Sequence, residues 1–378
     1  MSVAAITGAR ILADGLWRQG DAVLIADGCI TAIVAHDAIP ERAHIHYLDG
    51  GMLVPGFIDT QVNGGGGVLF NDQPSVAGIA AIARAHRCFG TTAMLPTLIS
   101  DDLDVVAVAI AAVDEAITAG VPGIIGIHLE GPFLSTAKRG IHDAAKFRTL
   151  DANAVELLAS LKHGKTLVTL APELVPLGTI AALVERGIIV AAGHTLASYE
   201  AMQRSIDEGL SGVTHLFNAM TALESRAPGV VGAAFDSDLI CGIIVDGHHV
   251  HPATLRAAYR AKGPHGLMLV TDAMPTVGTT GTRFRIGNAE IVAKDGILRS
   301  AEGTLAGSTL DMAGAVRNCV NMMQVDMVSA CQMASQTPAA FLGLGATFGR
   351  IAPGYRADVV HIDDAGSVQA SWIAGIAA

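Results

Sequence analysis

GIHLEGPF, residues 126–133, is the stretch on which the fold turns. It extends an apolar, β-prone run that begins at Ile124, and it stops at Gly131-Pro132, where a strand must end. Strand side chains alternate between faces, so Glu130 points the same way as His128 and Gly126. A carboxylate closing a buried strand is costly unless positive charge meets it. The same arrangement recurs downstream. GIIVAAGHT (187–195) ends its apolar run at His194, SGVTHLFNAM (211–220) at His215, and HGLMLVTDAM (265–274) at Asp272. Four apolar runs ending in metal-ligand or proton-transfer residues predict a site on the C-terminal rim of a parallel barrel.

Outward from this stretch the chain alternates strand and helix. Strand candidates end near 56–59, 94–95, 127–130, 168–170, 190–192, 213–214, 243–245 and 269–270. Ala-rich segments with a 3.6-residue period follow most of them, at 75–89, 101–119, 151–162, 176–186, 198–209, 252–262 and 308–323. Ser100-Asp101 and Asp151 supply capping residues. Alternation of this kind implies a parallel sheet with right-handed crossovers. Eight units favour an α/β fold of the closed (β/α)8 TIM-barrel type. No G-x-G-x-x-G follows the first strand, which weakens a dinucleotide-binding alternative.

The two ends read differently. Residues 1–50 are short β runs separated by Gly turns, with Asp27-Gly28 as a hairpin signal, and the stretch from Gly349 to Gly375 has the same character. Chain termini often lie close together, so both ends are expected in one small β-sandwich. The expected division is a small domain of 1–52 and 345–378 around a catalytic body of 53–344. A β-hairpin insertion is expected near 283–300.

Composition narrows the function. Of 378 residues 51% are hydrophobic, enough for a large core, and 16% are charged. The formal net charge of −11 comes with no dense Lys/Arg cluster, which argues against nucleic acid as a partner. The longest apolar stretch, about 105–127, is broken by Asp114, Glu115 and Pro122, so no membrane span is expected. Five scattered cysteines without a C-x-x-C, and no signal-peptide pattern, read as a cytoplasmic protein with reduced thiols.

Glu130, His194 and His215 form a donor set for one divalent ion, zinc or iron, with a position left open for water. Asp272 beside such a site is a general acid/base candidate. His128 shares the face of Glu130 one layer deeper and reads as core. His86, on a helix, has no inferable partner, and the run Gly64 to Gly67 reads as a mobile loop.

These residues also carry a family resemblance over essentially the whole chain. PGFIDTQVNG (55–64), HLEGPF (128–133), KRGIH (138–142), TLAPE (169–173), GHT (193–195), HLFNAM (215–220), RAPGVVG (226–232), DGHHV (246–250), VTDAM (270–274) and GTLAGS (303–308) stand in order. Together they resemble the N-acetylglucosamine-6-phosphate deacetylases, the single-metal branch of the amidohydrolase superfamily. The resemblance implies a barrel with a β-sandwich, metal ligands Glu130, His194 and His215, and Asp272 as the catalytic aspartate. It implies His142 at the acetyl carbonyl. Asn218, the Ala219 backbone, Arg226 and His249 are implied at the substrate phosphate, with Arg226 reaching across a homodimer. Many amidohydrolases carry H-x-H at the end of the first strand. Gln61 and Asn63 stand there instead, implying a vacant second-metal position whose amides hydrogen-bond a water. His248 has no assigned role. The implied reaction removes acetate from N-acetyl-D-glucosamine 6-phosphate in amino-sugar catabolism. The alternatives are a deacetylase of another N-acetylhexosamine phosphate, such as the galactosamine isomer, and a non-catalytic assembly protein of the same fold.

Overall fold

The structure, a computed structural model, describes residues 3–377. Its centre is an eight-stranded parallel sheet in chain order: β1 Phe57–Val62, β2 Thr91–Ile99, β3 Gly126–Glu130, β4 Lys165–Leu170, β5 Ile189–Ala192, β6 Gly212–Val213, β7 Ile240–Ile243 and β8 Leu267–Leu269. The last strand returns to the first through a bridge between Val62 and Ala273. The chain is thus a (β/α)8 barrel. All eight expected strands are present. β1, β2 and β3 are buried along their whole length, as strands covered by helices outside and side chains inside must be.

The helices α1 Val76–Arg87, α2 Leu103–Thr118, α3 Ala152–Leu158, α4 Thr179–Glu185, α5 Tyr199–Asp207, α6 Gly229–Phe235, α7 Pro252–Lys262 and α8 Met312–Asn318 surround the barrel. Asp151 caps α3 through the Ala154 N–H, as expected. The expected cap at Ser100-Asp101 is not formed: α2 starts after Asp102, whose carboxylate instead pairs with Lys146 and Arg148. α6 lies outside the segments predicted to be helical. Its GVVGAAF sequence is buried on nearly every side, so no polar face exists to show a period.

The terminal sheets mix the chain ends. A six-stranded sheet runs Ile376–Ala377, Val368–Ile373, Val359–Ile362, Met52–Pro55, Arg10–Ala13, Leu16–Arg18. Val359–Ile362 pairs antiparallel with Met52–Pro55, so a C-terminal strand lies against an N-terminal one. A four-stranded sheet of residues 4–47 faces it, and Ile6, Val23, Leu53, Val359 and Trp372 share one core.

The insertion is larger than a hairpin. Arg283–Ile286, Ala289–Lys294 and Ile297–Ser300 form an antiparallel meander, and Leu305–Ser308 adds a fourth strand. Its Ile291, Leu298 and Ala306 pack on Leu69 and Met274. The glycine run is likewise ordered. Gly64–Gly65 pairs with Val68–Leu69, the N–H groups of Gly66 and Gly67 donate to Val277 and Pro275, and His86 of α1 bonds the Gly64 carbonyl at 2.9 Å.

β3 starts where two backbones nearly touch. A Cβ on Gly126 would lie 2.0 Å from the Lys165 carbonyl oxygen and 2.6 Å from its nitrogen. Gly126→Ala should therefore force β3 off β4 and destabilise the fold by about 1–3 kcal/mol. Denaturant titration of the metal-stripped protein measures this; an unchanged midpoint would show that the strands can part there without penalty.

Candidate active site

The strand ends bring together what the sequence separates by up to 211 residues. Glu130 ends β3, His194 and His215 follow β5 and β6 by two residues, and Asp272 follows β8 by three. Glu130 Oε1 lies 3.1 Å from His194 Nε2 and 3.0 Å from His215 Nε2, and the two ring nitrogens are 3.0 Å apart. In a tetrahedral shell with bonds of about 2.0–2.1 Å, neighbouring ligand atoms sit about 3.3 Å apart. The three groups can therefore hold one divalent cation. Electron-rich atoms this close, with Glu130 only 2% exposed, need a proton or a cation among them. Burial opposes charge on Glu130, yet bonds from His194 and His215 hold its carboxyl well below the usual range. Burial likewise opposes the charged form of His215, which the Glu130 carboxylate raises.

The imidazoles are aimed by outer partners. His194 Nδ1–H donates to the Lys138 carbonyl at 2.7 Å, which leaves the Nε2 lone pair facing Glu130. His142 Nδ1 accepts from the Ser100 N–H at 3.3 Å and lies 2.8 Å from the Ser100 hydroxyl. Burial and the neighbouring His194 push His142 down to about 3, so the neutral ring carries its proton on Nε2. His128 sits beneath Glu130 between Thr97 (3.2 Å) and Thr169 (2.8 Å), pushed down to about 4 by burial. It is a core histidine with both nitrogens satisfied, as expected.

Backbone geometry concentrates here. His194 (φ 49°), His215 (φ 33°), Ala219 (φ 51°) and Asp272 (φ 50°) all adopt the left-handed region that non-glycine residues avoid. This turn at the strand end swings each side chain inward over the barrel mouth.

Gln61 and Asn63 occupy the end of β1, where they bind acids. Gln61 Nε2 donates to Glu130 Oε2 (3.1 Å) and to Asp272 Oδ1 (3.2 Å), and Asn63 Nδ2 donates to Asp272 Oδ1 at 2.6 Å. The amides, expected to hydrogen-bond a water, use their N–H groups to brace two carboxylates. Burial, then the charge of Glu130, push Asp272 up to about 6.

A cleft of about 380 Å³ opens above these groups, lined by His142, Asn218, Ala219 and His249 with Thr304 and Leu305 of the insertion. Asn218 Nδ2 is held by the His215 carbonyl at 3.1 Å, and His249 Nδ1 by Asp246 Oδ2 at 2.6 Å. Arg226 is the exception among the expected residues. It is exposed on the loop before α6, outside the cleft lining, and has no ion pair among the described residues. His248 is exposed. Sequence reasoning read Ser100 only as a cap and gave no role of their own to Lys138 or the insertion strand, because Lys138 acts through its carbonyl, and Ser100 and the strand reach the site only through the fold. It also passed over Asp59, a fully buried carboxyl that burial pushes up to about 7.

A barrel that gathers a carboxylate, two imidazoles and a further acid on its C-terminal rim has the layout of a metal-dependent hydrolase. The chain belongs to the amidohydrolase family, whose profile matches residues 52–377, and members of that family use a divalent metal. It is 47% identical to the N-acetylgalactosamine-6-phosphate deacetylase of Shewanella sp. (strain ANA-3), over 97% of this chain and 94% of that protein. It is 37% identical to the human N-acetylglucosamine-6-phosphate deacetylase, over 98% of this chain and 92% of that one. The crystal structure of the Pasteurella multocida N-acetylglucosamine-6-phosphate deacetylase superposes with a TM-score of 0.96 at 33% identity, covering 100% of this chain and 99% of the other.

Glu130→Gln should lose bound metal and activity together, because a neutral amide is the poorer ligand. Elemental analysis of the purified variant is the measurement. Full metal content at a normal rate would remove Glu130 from the ligand set.

Proposed function

We propose that this chain hydrolyses N-acetyl-D-glucosamine 6-phosphate to D-glucosamine 6-phosphate and acetate. The observation carrying this is Asp272, braced by two amides beside the Glu130–His194–His215 cluster and facing the same cleft as His142. The names of the human and Pasteurella multocida relatives supply the substrate class.

A divalent cation on Glu130, His194 and His215 would supply Lewis acidity, polarising a carbonyl and acidifying water. Asp272 takes the proton of the attacking water and returns it to the departing amine. His142 Nε2–H donates to the carbonyl oxygen as negative charge develops there. Asn218, the Ala219 backbone and His249 hold the sugar and its phosphate in register. Oxygen and nitrogen donors without thiolate suit zinc or iron, one ion per chain. The reading extends to a cytoplasmic homodimer, in which Arg226 of one subunit meets the phosphate in the other. Exposed Leu174, Leu177, Leu196 and Leu223 lie on the loops that follow β4, β5 and β6, the last of which also carries Arg226, and support an apolar contact on this rim. The division into 1–52 with 345–378 and 53–344 belongs to it too: the mixed terminal sheet supports joining the two chain ends, and its strand Met52–Pro55 runs across the boundary at 52.

The 47% identity to a galactosamine-epimer enzyme favours a second reading, the same reaction on N-acetyl-D-galactosamine 6-phosphate. Acetate release from the two epimers, compared side by side as kcat/KM, decides between them; no release from either sinks both. Asp272→Asn should keep its metal while kcat falls by roughly 10²–10⁴, the usual worth of a proton-transfer group.

Gln61 and Asn63 offer weakly donating amide oxygens where a second ion would need imidazoles. Metal titration of the stripped protein should restore full activity at about one equivalent per chain, since a single ion suffices for the chemistry. A requirement for two would overturn this reading of the first strand.

A further inference from the structure

Seven of the eight junctions in the barrel are parallel ladders. The eighth, between β8 and β1, is a single bridge between Val62 and Ala273, and Asp272 is the residue next to it. Main-chain bonds cross this seam from Asp272 N to the Gln61 carbonyl (3.0 Å) and from Asn63 N to the Ala273 carbonyl (2.9 Å). Gly64 N also donates to the Ala273 carbonyl (3.0 Å), and further ties come from the Asp59 side chain. Asp59 Oδ1 accepts from Gln61 N at 3.1 Å and from Thr271 N at 3.3 Å, and Oδ2 accepts from the Thr271 hydroxyl at 2.5 Å. The Thr271 hydroxyl oxygen in turn accepts from Ala273 N at 3.2 Å. The residues on both sides of Asp272 are therefore tied to one buried carboxyl, which itself stays out of the cleft.

We propose that Asp59 is the positioning residue for Asp272: it clamps the 271–273 tripeptide against β1 and holds Asp272 in its left-handed backbone. A left-handed aspartate is not the resting choice of a free strand end, so something must over-determine it. The Asp59–Thr271 pair does so from beneath, while Gln61 and Asn63 fix the carboxylate from above. The clamp matters because proton transfer tolerates little displacement of the carboxylate. This inference rests on Asp272 being the proton-transfer group.

The test pairs Asp59→Ala with Thr271→Val, which removes the hydroxyl relay while keeping shape and burial. Each should lower kcat by roughly 10–100-fold, as a displacement near 1 Å does. KM for the phosphosugar should stay within about threefold, the mark of an interaction felt in the transition state. Metal content, read by elemental analysis, should be unchanged. The double variant should fall no further than the worse single one, because both break one chain of bonds. Wild-type kcat in Thr271→Val, or a kcat loss matched by lost metal or a raised KM, overturns the proposal. If Asp59→Ala does not fold, Thr271→Val decides alone. Asp272→Asn runs alongside: if it keeps the wild-type rate, the role of Asp272 has failed. If it loses rate while the clamp variants do not, only the role of Asp59 has failed.

Discussion

A buried carboxylate meeting two imidazoles sets the terms for the rest of this molecule. Glu130 ends a strand with no exposed face, and its partners come from strands two and three places further round the barrel. Three electron-rich atoms within 3.1 Å repel one another unless a proton or a cation sits between them. The fold must hold that arrangement against its own electrostatics. It does so with the stiffest element available, a closed parallel sheet in which Glu130 is registered against Ile99 on one side and Thr169 on the other.

The strain of the design is collected at the rim. His194, His215 and Asp272 leave their strands through left-handed backbone, and each is pinned by neighbours: Ser135 N–H on the His194 carbonyl, Leu216 N–H on the Gly242 carbonyl, Asp272 N–H on the Gln61 carbonyl. Such conformations persist only where surrounding bonds over-determine them. The amides at the end of β1 extend the same logic. Positions that could have offered ligands offer donors, so the two acids, which would otherwise repel, are bridged by Gln61.

Around the barrel, the extra sheets act at opposite levels. The terminal sheets tie the chain ends together through Met52–Pro55 and Val359–Ile362, and they share a core separate from that of the barrel. The insertion instead reaches the cleft itself, where Thr304 and Leu305 form part of the wall. The wall of the cleft is therefore shared between rim loops and a late β element remote in sequence.

The sequence by itself determined the barrel, because buried parallel strands must be apolar runs and amphipathic helices must show a period; all eight strands could be read that way. It also singled out Glu130, His194, His215 and Asp272 as candidates for metal binding and proton transfer, since each stands at the end of such a run. Short, fully buried α6 could not be read, for it has no polar face. The capping expectation at Ser100-Asp101 failed because Asp102 found cations that lie 44 and 46 residues away. Only the tertiary structure decided that Gln61 and Asn63 brace acids, that the Lys138 carbonyl and the Ser100 N–H and hydroxyl orient histidines, and that Asp59 lies on the barrel seam. Those roles depend on distances between strands remote in the chain, and no local pattern encodes a distance.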